Sequence, residues 1–270
     1  MILVFDVGNT EITIGLFADA ELRGHWRIVS GVQRSADEFR VLVNGLLTVD
    51  SFGTDDIRGA AIGSVVPGVT EALAAACARI TRGPIVRVDA SAALPIRLDV
   101  DEPLTVGADR LINTLAATRL FASDAIVVDL GTATTFDCIT ADGVFIGGVI
   151  APGVQAALDA LIRRTSKLPA TELVVPPHVI GRRTEDCIRA GVMFGQADAI
   201  DGIVRRIKAS WPGRQTPLVI ATGGLAETFR ALCEEFDRVE PHLTLHGLQM
   251  AFVHLAGTAP TKPKRLRKSV

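Results

Sequence analysis

The sequence predicts an α/β protein made of two duplicated domains that face each other across a cleft. Three observations predict it. Short apolar runs of period two alternate with amphipathic helical stretches. Two of those runs, ILVFDVGNT (2–10) and AIVVDLGTA (125–133), end alike, in an acid, a glycine and small polar residues. Asp6 and Asp129, Gly8 and Gly131, and Asp19 and Asp142 each stand 123 residues apart, so a strand, a turn and a hairpin recur in one register without a gap.

The elements follow in order. Strands are expected at 2–5, 11–17 and 22–29, with turns at Asp6–Thr10 and at Asp19. SADEFRVLVNGLL opens a helix with a capping box, Ser35 with Glu38 three residues later. The helical stretch TEALAAACARI follows Pro67 and Gly68, and GADRLINTLAATRLF is amphipathic. The second half repeats the strands at 125–128, 133–140 and 144–150. A long helix runs over 184–210, with Thr184 as its N-cap and Glu185 and Asp186 at the positive end of its dipole. Gly191 and Gly195 let a neighbour pack close on one of its faces. A strand, PLVIA, leads into a helix, LAETFRALCEEF, and PHLTLHGL alternates Leu-Thr-Leu and reads as strand or turn. The chain is expected to divide into residues 1–118 and 119–258, with 259–270 a basic, disordered tail.

Composition removes several function classes. With 270 residues, 48% of them hydrophobic, the chain can bury a full core. A net charge of -2 gives no polyanion-binding surface, so nucleic acid is not an expected partner. No apolar run reaches the roughly 18 residues of a membrane span, and Asp6 interrupts the N-terminal run, so neither a membrane nor a signal peptide is expected. Cys77, Cys138, Cys187 and Cys233 form no CxxC pair and read as free thiols of a reducing, cytoplasmic compartment. His242 and His246 are four apart, but a strand or turn would not bring them together on zinc; His25 and His178 have no evident partner.

An acid at the carboxyl end of a strand, beside glycine, marks a ligand site. The glycine admits a ligand to the backbone, and successive N–H groups point at phosphate oxygens. The carboxylate repels phosphate but holds hydrated Mg²⁺, which bridges phosphates. One such turn is equally an ordinary Asx or hairpin turn; two in register would clamp a polyphosphate from both sides. ATGGLA (221–226) adds glycines at a strand-to-helix turn, suited to the adenosine end of a nucleotide. In VGADRLIN, Asp109 is either a first-turn helix acid or the acceptor of a proton from an attacking hydroxyl. Arg110 would then offer a bidentate fork to a substrate carboxylate.

Taken together, DVGNT, VGADR, VDLGTATTFD, GGVIAPG, IGRRTEDCIRAG, ATGGLA and LTLHGL resemble the type III pantothenate kinases over residues 2 to about 250. The resemblance implies two ribonuclease-H-like domains of the acetate and sugar kinase/Hsp70/actin superfamily. It implies ATP-dependent phosphorylation of pantothenate to 4′-phosphopantothenate, the first step toward coenzyme A, by a cytoplasmic homodimer. Residue by residue, it gives Asp6, Val7, Gly8, Asn9, Thr10, Glu11, Ile12 and Thr13 to the first phosphate-binding segment, with Thr132 as a further ATP contact. Gly107, Ala108, Asp109 and Arg110 match the pantothenate segment, Asp109 its proton acceptor, and Thr184 a substrate contact. Asp129 matches the ligand of a monovalent cation, K⁺ or NH₄⁺, with Mg²⁺ accompanying the nucleotide; the symmetry of the two turns instead gives Asp6 and Asp129 equal claims on Mg²⁺.

Two positions depart from the pattern. Val100 stands where the family usually has a tyrosine lining the pantothenate pocket, and Glu11 puts a charge where asparagine is common. Two other readings stay open: another phosphate-handling hydrolase of the superfamily, and a non-catalytic regulatory relative.

Overall fold

A computed structural model describes residues 1–165 and 167–258; the basic tail at 259–270 lies outside the described residues. The first half contributes β1 (Ile2–Val7), β2 (Glu11–Ala18), β3 (Glu21–Val29), α1 (Ala36–Val49), β4 (Gly59–Ser64), α2 (Pro67–Ile80) and β5 (Ile85–Val88). After them come β6 (Arg97–Leu98) and α3 (Ala108–Phe121). The second half contributes β7 (Ala125–Leu130), β8 (Ala133–Ile139), β9 (Val144–Pro152), α4 (Val154–Arg163), α5 (Thr184–Ala209), β10 (Leu218–Thr222), α6 (Ala226–Phe229), β11 (Arg238–Val239) and α7 (Leu243–Thr258).

The duplication is visible in the sheets. The first runs β3-β2-β1-β4-β5 and the second β9-β8-β7-β10-β11, with β6 added outside β9. In each, the hairpin strands pair antiparallel and the later two pair parallel. The α/β class and the repeat are as the sequence predicts. The gap-free register is not. Asp6 pairs with Thr13, seven residues on, whereas Asp129 pairs with Thr135, six on. The second turn is one residue shorter, and the following hairpin loop, closed by Thr140 N to Val144 O at 2.9 Å, restores the offset.

Burial explains the layers. Leu3, Phe5, Ile12, Ile14 and Leu16 alternate onto one face of the first sheet and pack on Phe39, Val43 and Leu47 of α1 and Leu73 and Cys77 of α2. The Ser35/Glu38 capping box starts α1 as expected, with Ser35 N donating to Glu38 Oε2 at 2.7 Å. The inner face carries Ile2, Val4 and Phe17, which pack on Ile112 of α3 and on Leu245, Leu248 and Phe252 of α7. Ala116 and Ala117 of α3 meanwhile pack on Ala125, Val127 and Phe145 of the second sheet. Helices α3 and α7 therefore form the wall that both sheets share.

Three local expectations fail. PHLTLHGL enters α7, a helix apolar on nearly every side because the first sheet covers one side of it and α3 another, so no amphipathic period betrays it. LAETFRALCEEF is helical only over Ala226–Phe229. The N-cap of α5 is Arg183, with Thr184 its first helical residue. Cys77, Cys138 and Cys233 are buried free thiols, and Cys187 is exposed. Among the described residues, no helix is long and apolar enough to cross a membrane.

Candidate active site

The two acid turns meet. Thr10 Oγ1 lies 2.9 Å from Thr132 Oγ1, across 122 residues of chain. Each turn closes on its glycine: Gly8 N donates to Glu11 O at 3.0 Å, and Gly131 N to Ala133 O at 3.1 Å. Each acid is the second-last residue of its strand, on the face turned toward the other half. Asn9, Thr10 and Thr132 are exposed at the mouth, and Thr13 stands beside Asp6. Val7 and Ile12 point the other way, into the core, so only their backbone is available to a ligand. Glu11 is exposed at the start of β2, on the same face as Thr13.

Asp6, Asp129 and Asp109 sit in one another's field. Burial pushes the Asp6 carboxyl up to about 8, helped by the charges of Asp129 and then Asp109. Burial and Asp109 push Asp129 to about 6 against one hydrogen bond, from Asn113 Nδ2 at 3.2 Å. Among the described residues no cation acts on Asp6 or Asp129, so the cluster is a site that a bound cation would relieve. Among the described residues, no three His, Cys, Asp or Glu side chains converge to cage a metal.

Helix α3 delivers Asp109 to this cluster. Its N-cap is Gly107, where a Cβ would lie 2.4 Å from Asp109 Oδ1, so the glycine leaves the Asp109 carboxylate its place. Ala108 is buried beneath it. Arg110 Nε donates to Asp137 Oδ1 at 2.6 Å, and its guanidinium lies 4.9 Å over the Phe145 ring. Gly148 leaves it room; a Cβ there would come within 2.6 Å of Nη2. Burial pushes the Asp137 carboxyl up to about 7, although Arg110 opposes the shift. With Nε committed, Arg110 keeps its Nη groups for a ligand, and buried Nη2 has no partner.

The glycine turn after β10 also reaches the site. Gly223 has φ +92, and a Cβ on it would stand 2.5 Å from Asp129 Oδ1. Val100 packs with Val106 against the core of the second sheet. Thr184 is exposed at the start of α5, and no contact ties it to the acid turns. His25, expected to stand alone, meets His242 with ring centroids 4.4 Å apart and planes tilted by 51°.

Sequence reasoning missed Asn113, Thr244 and Asp137. Thr244 Oγ1 donates to Asn113 Oδ1 at 2.9 Å, which orients the Asn113 amide toward Asp129. An adjacent polar pair, Asn113 and Thr114, between the apolar Leu111–Ile112 and Leu115–Ala117 was the available signal. Asp137, fully buried in a strand, was a second one.

Known proteins resemble this chain in sequence and in fold. A family model described as type III pantothenate kinase matches residues 2–206. A type III pantothenate kinase from Roseiflexus sp. is 44% identical over 252 residues, covering 93% of this chain and 98% of that protein. One from Moorella thermoacetica is 42% identical over 258 residues, with the same coverage. The solved structure of (R)-2-hydroxyglutaryl-CoA dehydratase component A from Acidaminococcus fermentans covers 95% of this chain and 97% of its own. At a TM-score of 0.56 and 15% identity it shares the fold alone.

Proposed function

We propose, from the premise that the chain belongs to the type III pantothenate kinase family, that Asp109 is the base of an in-line phosphoryl transfer between the two acid turns. The enzyme phosphorylates pantothenate with ATP, giving 4′-phosphopantothenate on the way to coenzyme A. The observation that carries the site assignment is the meeting of Asp6, Asp109 and Asp129 behind the touching Thr10 and Thr132 hydroxyls.

In this reading the backbone of 6–13 and the Thr132 hydroxyl bind the phosphates of ATP. Asp6 would hold Mg²⁺ and Asp129 the monovalent cation, K⁺ or NH₄⁺; such ions neutralise the charge gathering on the phosphoryl oxygens. The hydroxyl oxygen of pantothenate attacks the γ-phosphorus, its proton passes to Asp109, and the bond to the ADP oxygen breaks. The Nη groups of Arg110 bind the pantothenate carboxylate while Asp137 holds the guanidinium in place. Gly107, Ala108, Val100 and Thr184 complete the pantothenate segment, Val100 supplying apolar area without a hydroxyl.

Residues 1–118 and 119–258 are the two units of the duplication in this reading. The active form is a homodimer, supported by Gly191 and Gly195, which face open space on α5, and by the exposed Val174, Val179 and Ile180 in the segment preceding that helix. A cytoplasmic location agrees with the buried free thiols.

A coupled ADP-release assay tests the reading. ADP release should require pantothenate and be faster in potassium than in sodium buffer. Release without pantothenate would point to a hydrolase instead, and binding of neither ligand would sink the assignment.

A further inference from the structure

We propose that Arg27 is an additional nucleotide-binding residue: a cation of the first sheet that reaches across the cleft to hold the phosphates of a nucleotide resting on the Gly223–Gly224 turn of the second. The proposal rests on the kinase reading above and adds a contact to it from the opposite half.

Three observations carry it. The first is register. Arg27 pairs with Thr13 and Thr13 with Asp6, so the three side chains share one face in a single row. Its neighbours Trp26 and Ile28 pack into the outer core, which leaves Arg27 on the inner face. Two strand spacings, about 10 Å, separate Arg27 from Asp6, so the row runs from the candidate cation position toward the rim.

The second is reach. Arg27 Nη1 lies 3.5 Å, and Nη2 4.0 Å, from where a Cβ on Gly224 would stand, and nothing else comes within 4 Å of that point. A side chain of the first sheet thus lies over an exposed glycine turn of the second, with the turn's backbone open below it.

The third is want of a partner. Among the described residues, Arg27 makes no ion pair or hydrogen bond, although Arg79, Arg87, Arg110 and Arg230 are all paired. Glu11, diagonal to it on the same face, does not pair with it. Five donors are left free, in the planar fork that fits a phosphate bidentately. The plain alternative is a charge that keeps edge strand β3 from pairing with another chain.

Titration of ATP, ADP and adenosine onto the full-length protein, with Arg27→Ala and Arg27→Lys beside it, separates the two. Arg27→Ala should weaken ATP and ADP by about 10- to 150-fold, in line with a charge-assisted hydrogen bond. Arg27→Lys should fall between, with adenosine affinity and the KM for pantothenate unchanged. The side chain is exposed and unpartnered, so circular dichroism should show both variants folded. Equal ATP and ADP affinities in all three proteins would overturn the proposal, as would a loss of adenosine affinity matching that of ADP. A wild-type protein that binds ATP through Arg27 yet releases no ADP with pantothenate would refute the kinase reading and leave this contact standing.

Discussion

In the first sheet the row that faces the cleft reads Arg27, Thr13, Asp6, Gly63. In the second, the matching row reads Ile150, Thr135, Asp129, Thr222. Both halves keep the acid and the threonine and differ at the ends. One row further back both keep a valine, Val4 and Val127, but the two outer strands diverge: Gly15 and His25 in the first sheet, Asp137 and Gly148 in the second. The helices explain this. Leu245 of α7 lies against Gly15, where a Cβ would come within 3.2 Å of it, so a charged side chain has no room. Arg110 from α3 occupies the corresponding place on the second sheet, and Gly148 and Asp137 accommodate it. Duplication supplied two equal frames. The helices laid on them made one frame a packing surface and the other an arginine socket.

Changes that break this asymmetry rank by their reach into the chemistry. Asp109 belongs to neither row, but its charge acts on both acids. Asp109→Asn should lower kcat by about 10² to 10⁴-fold, the usual worth of a general base, with a melting temperature near that of the wild type. Steady-state kinetics beside a thermal melt checks both.

Asp6→Asn should also abolish most activity, yet stabilise the ligand-free protein at alkaline pH. The folded Asp6 holds its proton to about pH 8, and the unfolded chain releases it near 4. Between those values the unfolded state binds fewer protons, so this group makes stability fall as pH rises. Melting curves at pH 5.5 and 8 should show that slope in the wild type and a shallower one in Asp6→Asn. For Asp129→Asn the window closes at about pH 6, and the potassium dependence of turnover should disappear.

Asp137→Asn should raise the KM for pantothenate about 10-fold with little change for ATP, because Arg110 loses its charged anchor. It should also cost about 3 kcal/mol of stability, since a buried guanidinium is left unbalanced. Denaturant unfolding measures the second effect. Equal KM shifts for both substrates would mean that the pair is purely structural.

Gly15→Ala should have the smallest effect, about 1 kcal/mol, read by the same unfolding curve. The atoms nearest its new methyl are side-chain ends, of Val4, Leu245 and Phe17, which can move aside.

Much of the site was legible in the chain. Asp6 and Asp129 announced themselves because each interrupts an apolar strand at the same place, and Asp109 because it follows a helix-starting glycine. Asn113, Thr244 and Arg27 did not, because what each faces lies far away in sequence; Thr244 and Asn113 are separated by 131 residues. The same reason hid α7, whose burial between the first sheet and α3 erased the period that would have revealed a helix.

By itself the sequence determined the strands, the two acid turns and their repetition, because backbone preference and turn chemistry act over a few neighbouring residues. Only the tertiary structure decided that α7 covers the first sheet while Arg110 of α3 is seated on the second, that Arg110 is tied to Asp137, and that Arg27 looks onto Gly224. Those outcomes depend on which surfaces exclude water together, and that is a property of the packed molecule rather than of any one segment.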